Sequence, residues 1–331
     1  MRIILDACGG DNAPTAMVGG AVEAAKKLGI EVCLCGPKAD LEQQLKKIGA
    51  PKSVTVVDAA FPDDFDMDYM TAVRKRKPVG IVVGTKLLAD GHGDAFVSCG
   101  STGAIVIGAV AFVGRVENAK RVALGTPVPK KDGFVLLLDS GAGLECSAET
   151  LVDHAYSGEQ FMKAITGKEN PLVGLINNGR EEGKGRIEYA EAYKILVDSD
   201  INFYGNLEAR ELFTSGCDVA VCDGFTGNAI LKTIEGTASF FSSGVKEAFT
   251  KNIFTKIGAA LAKDGISDFK RRFDYTEFGG VPILGIAKTV IKAHGSSNER
   301  SVASAIRQAV LAAQGSGMLS IDTSSKASED F

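Results

Sequence analysis

The chain has 331 residues, 45% apolar and 24% charged, with a formal net charge of −4. That length suits roughly two domains or one large two-lobed unit with a sizeable core, and the acidic balance argues against a nucleic-acid partner. No apolar run is long enough and free enough of charge to span a bilayer.

Short β-rich runs recur along the chain: RIILDA (2–7), EVCLCG (31–36), VTVVDA (54–59), DAFVSCG (94–100), FVLLLDSG (134–141), LVGLINNG (172–179), INFYGN (201–206) and VAVCDG (219–224). Most are almost continuously apolar, as strands buried on both faces must be. Helical patterns lie between them, at 15–29, 39–49, 101–116 and 186–199. This alternation predicts an α/β fold, a mostly parallel sheet with helices on both faces in three layers. Nearly every strand ends in Gly, Asp or Asn, where ligands sit in open α/β sheets. The opening MRIILDACGGDNAP reads as a strand and a loop rather than a signal peptide. Seven cysteines without a CxxC pair or a zinc-like spacing fit reduced thiols and a cytoplasmic location. Residues 319–331 read as a polar tail.

Several chemistries lack their signatures. There is no GxGxxG for a nicotinamide cofactor, no GxxxxGK[ST] and no GxSxG elbow. Of three histidines, His154 lies in the helical stretch AETLVDHAYSGEQF and reads as structural, and His92 reads as a loop residue. Triad catalysis has little to work with, so the nucleophile must arrive already nucleophilic. At 219–236 a strand runs straight into a helix through Asp223, Gly224, Phe225, Thr226, Gly227 and Asn228. Such a junction is a candidate anion site, with backbone amides as donors.

Six segments, DACGGDNAP (6–14), SCGSTGA (98–104), LLLDSGAG (136–143), GNLEARE (205–211), DGFTGN (223–228) and IKAHGSS (291–297), occur in one order. Together they resemble the bacterial acyl-ACP:phosphate acyltransferases of phospholipid synthesis. The resemblance runs from residue 1 to about 313 and implies one two-lobed catalytic unit over 1–318. It implies a fold similar to isopropylmalate dehydrogenase and phosphotransacetylase, and a homodimer. It also implies conversion of acyl-acyl-carrier protein and inorganic phosphate to acyl phosphate, with neither metal nor cofactor. Phosphate, with a second pKa of about 6 to 7, is largely ionised near neutrality and needs no strong base.

On the family pattern Lys184 and Asn228 are the catalytic positions. Asp6, Gly9, Gly10, Asp11, Thr102, Gly103, Asp223, Gly224, Thr226, Gly227, His294 and Ser296 are then expected around phosphate and substrate. Three positions depart from the pattern: Asn12 for a usual histidine, and Ser101 and Gly143 for usual asparagines. Cys8, Cys99 and Cys222 stand at strand ends, but an acyl-cysteine is not expected, because free cysteines often serve as small buried hydrophobes. Two alternatives stay open: a phosphotransacetylase-like enzyme using a coenzyme A thioester, and a non-catalytic protein binding acyl groups or carrier protein. Residues 245–273 interleave apolar residues, among them Phe254, Ile257 and Leu261, with seven basic ones. They read as a projecting amphipathic helical segment for a bilayer surface or a partner.

Overall fold

The computed structural model describes residues 1–117, 119–130, 133–262, 265 and 279–315. The expected polar tail and residues 263–264 and 266–273 of the basic segment lie outside the described residues.

The first half of the chain builds one sheet. Strands β1 (Arg2–Asp6), β2 (Glu31–Gly36), β3 (Val54–Asp58) and β4 (Ala95–Ser98) are parallel, and alternate with α1 (Thr15–Leu28), α2 (Lys38–Lys47), α3 (Tyr69–Arg74) and α4 (Gly80–Ala89). Next, α5 (Thr102–Gly108) continues through a π turn at Ala109–Val113. Two short strands, β5 (Ala123–Leu124) and β6 (Thr126–Pro129), then lead into the second sheet.

That sheet is made by β7 (Phe134–Leu138), β8 (Val173–Asn177), β9 (Phe203–Glu208) and β10 (Val219–Val221), with α6 (Ala148–Thr166) and α7 (Ile187–Val197) between them. Helix α8 (Gly224–Thr250) follows β10, and α9 (Ile253–Leu261) follows after a short break, in contact with it. Finally β11 (Val281–Leu284) and β12 (Thr289–Lys292) return to the first sheet, and α10 (Glu299–Gly315) packs on α1. The strand orders are β3-β2-β1-β4-β12-β11-β5 and β6-β7-β10-β8-β9.

Period-two alternation sorts each strand between two cores. In β1, Ile3 and Leu5 face α1, α2 and α10, while Ile4 faces the other side with Phe96 and Ile81. In β7, Leu136 and Leu138 join the core under α6 and α7, whereas Val135 and Leu137 pack toward Leu231 and Ile234 of α8. One stretch of backbone links the two sheets directly. Leu124 pairs with β11, Gly125 donates its N–H to Pro282, and Thr126 pairs with β7.

The eight runs read as strands are all strands. Four others, β5, β6, β11 and β12, were not anticipated. The helical segment expected at 245–273 differs in shape: α8 runs unbroken from Gly224 to Thr250, and a separate α9 begins where Asn252 caps it through Thr255 N–H. From Gly236 to Leu261 this arm buries none of its side chains, leaving Phe240, Phe241, Val245, Ile253, Phe254, Ile257 and Leu261 exposed. No helix among the described residues is long and apolar enough to cross a membrane.

Candidate active site

A cavity of about 570 Å³ lies between the two sheets, against α8. Thr102, Lys292, His294 and Ser296 line it from the first sheet, and Thr126, Ser140, Gly141 and Asn228 from the second. A second cavity, about 620 Å³, is lined by Gly10, Asp11, Ser101, Tyr69 and Phe61 among others. Thr102 and Lys292 belong to both linings, so the cavities meet there.

Lys292 is the last residue of β12, in register with Ser98 on β4. Its ammonium makes no hydrogen bond or ion pair among the described residues, and burial pulls its pKa down. A half-buried cation left unpaired is costly in itself, and an anion entering the cavity would relieve that cost. Two residues on, the Ser296 N–H donates to His294 Nδ1 (3.2 Å), and the Ser296 hydroxyl lies 2.8 Å from the same nitrogen. The accepted N–H assigns the ring proton to Nε2. Burial, then the neighbouring Lys292, holds the imidazole below its ordinary pKa, which favours the neutral ring. Asn228, one turn into α8, keeps its side-chain amide free of hydrogen bonds among the described residues. It lies 3.5 Å from where a Cβ on Gly141 would stand.

The glycine-rich turns do something different from cradling a ligand. The Asp139 carboxylate accepts from Leu124, Gly141, Ala142 and Gly143 backbone N–H at 2.8–3.1 Å. The nest made by LLLDSGAG is therefore filled by the protein's own anion. At the start of α8, Asp223 caps the helix, accepting from Thr226 N–H (2.8 Å) and its hydroxyl (2.9 Å), Tyr189 (2.6 Å) and Arg186 (2.9 Å). Partial burial opposes ionisation at Asp223, but these donors outweigh it and hold its carboxyl below the usual range. Gly224 and Gly227 serve packing. A Cβ would stand 2.0 Å from the Gly143 carbonyl oxygen at the first and 1.9 Å from that of Asp139 at the second.

The first junction is built in the same way. Asp6 is fully buried and accepts from Ser98 Oγ (2.7 Å), Tyr69 OH (2.9 Å) and Cys8 N–H (3.0 Å), while burial raises its pKa. Gly9 packs on Asp6 and Gly100, and Gly103 on Met70. The structure thus brings Gly10, Asp11, Thr102, Asn228, His294 and Ser296 to the cavities. Asp6, Gly9, Gly103, Asp223, Gly224, Thr226 and Gly227 lie behind them as support. Lys184 is exposed in the loop after β8, on the same sheet edge as Asn228, and lines neither cavity.

The three departures have local roles. Asn12 Nδ2 donates to the Ser296 and Ser297 carbonyls (3.3 and 3.2 Å), tying the first loop to the His294 loop. Ser101 caps α5, and Gly143 donates to Asp139. Cys8, Cys99 and Cys222 are buried thiols. Burial pushes the first and third well up and Cys99 up to about 12, so none is a ready thiolate. No cluster of metal-ligating side chains occurs among the described residues.

A family model described as fatty acid synthesis protein matches residues 1–318. The chain belongs to this family. It is 41% identical over 311 residues to a phosphate acyltransferase of Alkaliphilus oremlandii, covering 94% of this chain and 93% of the relative. A phosphate acyltransferase of Thermoanaerobacter pseudethanolicus is 43% identical over 310 residues, covering 93% and 92%. Among solved structures, a phosphotransacetylase from Streptococcus pyogenes aligns with TM-score 0.61 and 18% identity over 96% of this chain and 94% of that one. A 4-hydroxythreonine-4-phosphate dehydrogenase from Klebsiella pneumoniae aligns with TM-score 0.57 and 12% identity, covering 95% and 99%. These two likenesses establish the fold: α/β, mostly parallel, phosphotransacetylase-like, shared with a dehydrogenase.

Proposed function

We propose that the chain is an acyltransferase that moves the acyl group of an acyl-carrier-protein thioester onto inorganic phosphate. The observation that carries this reading is Lys292, a half-buried ammonium, unpaired among the described residues, where the two cavities meet. Phosphate rests on it, with neutral His294 and Thr102 as further donors. A phosphate oxygen attacks the thioester carbonyl carbon, forming the C–O bond as the carbonyl pair moves onto oxygen. Asn228 donates to that oxyanion, the kind of contact worth most where charge develops. Collapse breaks the C–S bond, and the departing sulfur takes the proton that the hydrogen phosphate gives up on becoming acyl phosphate, leaving as the carrier thiol. Lys184 is the second cation in this reading; it rests on the family pattern rather than on the cavity. The name phosphate acyltransferase, carried by relatives about 40% identical over nearly the whole chain, supports the reaction class.

The test is to mix the pure protein with acyl-carrier thioester and phosphate and to trap acyl phosphate with hydroxylamine. Product is expected from the carrier thioester; product from acyl-coenzyme A alone would make this a phosphotransacetylase, and none from either would end the acyltransferase reading. With phosphate omitted, intact mass should show unmodified protein, since attack is direct.

We also infer that the protein works as a homodimer and that the α8–α9 arm seats it reversibly on an anionic bilayer. Phe254 (81% exposed) and Leu261 (86%) have no core to join, and Lys246, Lys251 and Lys256 lie among the arm's apolar residues. Each lysine contributes roughly 1 kcal/mol at an anionic surface, and two arms per dimer add avidity. Salt should weaken the attachment, the charge term being screened over about 10 Å at 0.1 M. Ile257→Asp with Leu261→Asp is expected to abolish sedimentation with anionic vesicles while soluble-substrate turnover persists. Continued sedimentation of that double variant would refute the attachment.

A further inference from the structure

The cavity between the sheets has two unlike edges, and α8 supplies both. Leu231, Ile234 and Ala238 follow one another at helical spacing on one face and line the cavity together with Val128, Pro129 and Phe213. Leu231, Ile234 and Phe213 also pack on the core that holds Val128. The adjoining face carries Asn228, Lys232, Glu235 and Ser239; Lys292, His294 and Ser296, from the first sheet, line the same cavity. An apolar track thus begins beside the reacting groups and runs along the helix toward its projecting end. We propose that this track, Leu231–Ile234–Ala238 against Val128, Pro129 and Phe213, holds the acyl chain, and that the small residue at 238 admits long chains. The proposal rests on the acyltransferase reading and names its substrate class.

Length supports that class. From Asn228 to Ser242 the helix rises about 21 Å, at about 1.5 Å per residue. An extended alkyl chain advances roughly 1.3 Å per carbon, from C–C bonds of about 1.5 Å. The track therefore matches a saturated chain of about 16 carbons, and its first part, to Ala238, one of about 12. No bulky side chain of α8 closes the far end: positions 238, 239 and 242 are Ala, Ser and Ser, all exposed. On the face of Ala238 the exposed Phe241 and Val245 stand one and two turns further along the helix.

The experiment fills the track at Ala238, about two-thirds of the way along it. Ala238→Phe costs no core packing, because Ala238 is exposed. In wild type and variant, kcat/KM is measured for a carrier thioester of about 16 carbons and for one of half that length. Binding of non-hydrolysable alkyl phosphonates of the same two lengths is measured by calorimetry. The long-to-short ratio is expected to fall about tenfold or more in both measurements, the scale on which a few methylenes discriminate. An unchanged ratio, with wild type active on both chains, would overturn the track and leave the acyltransferase reading standing. Absence of turnover in wild type, with phosphonate binding still length-dependent and shifted by the variant, would overturn the reaction and leave the track standing. Absence of both turnover and phosphonate binding would overturn both.

Discussion

Replacing Lys292 by Met is expected to lower kcat/KM for phosphate by about 10² to 10³-fold, the effect of losing one preorganised charge or donor contact in an active site. Folding should not suffer. The ammonium is half-buried and unpaired among the described residues, so an apolar side chain of similar length removes a desolvation cost and keeps the stem packing. Thermal melts alongside phosphate-dependent turnover separate the two effects. Turnover near the wild-type value, in a protein of equal stability, would remove Lys292 from the phosphate site. Lys184→Ala belongs in the same experiment. The family pattern expects a similar loss there, although the loop after β8 does not bring that side chain into the cavity lining. Loss in both variants would make two cations act on one anion; loss in Lys292→Met alone would leave the phosphate to Lys292.

His154 gives the second large effect, on stability rather than on rate. It is buried in α6, neither ring nitrogen has a partner among the described residues, and burial pulls its pKa down to about 4 from an ordinary 6.5. The unfolded chain therefore takes up a proton between pH 6.5 and 4 that the folded chain refuses. Stability is complete above the unfolded value and falls as pH drops through that window, by about 3 kcal/mol at its lower end. His154→Leu is expected to flatten that part of the curve and to match or exceed wild-type stability at neutral pH, because it removes a buried, unsatisfied donor. Urea unfolding at several pH values checks this by the difference between the two proteins, in which shared carboxylate effects cancel. Parallel curves for the two would show that His154 does not control the acid side.

The long parallel strands were legible because burial on both faces writes continuous apolar runs, as in Phe134–Leu138 and Glu31–Gly36. The other strands are short, and two of them, Thr126–Pro129 and Val281–Leu284, carry proline, which removes a ladder donor and interrupts the strand pattern. They are the pieces that join the sheets, so the cleft itself was not visible from local pattern. Lys292 stood inside a segment that carried the resemblance, yet a lysine bears no mark of its own burial. Only the placement of β12 between β4 and β11 reveals it. The glycine turns were legible as anion-binding turns, and that is what they are chemically. Which anion fills them depended on where Asp139 and Asp223 point, and glycine spacing does not encode that. Asn228, Thr102, His294 and Ser296 do reach the cavity; the buried Asp6 orients Ser98 and Tyr69 behind it.

The nest around Asp139 bears on how the catalyst turns over. A loop of several backbone amides, left open, would grip any phosphate monoester, and the product of this reaction carries the same phosphoryl group as the substrate. Here Asp139 occupies those amides, so in the proposed reaction phosphate is left with side-chain cations and a few neutral donors. Such a hold is loose and sensitive to ionic strength. The protein would then fill according to the cell's phosphate supply rather than by affinity, and a reactive mixed anhydride would leave soon after it forms. Stronger binding of the nucleophile would also have been stronger retention of the product.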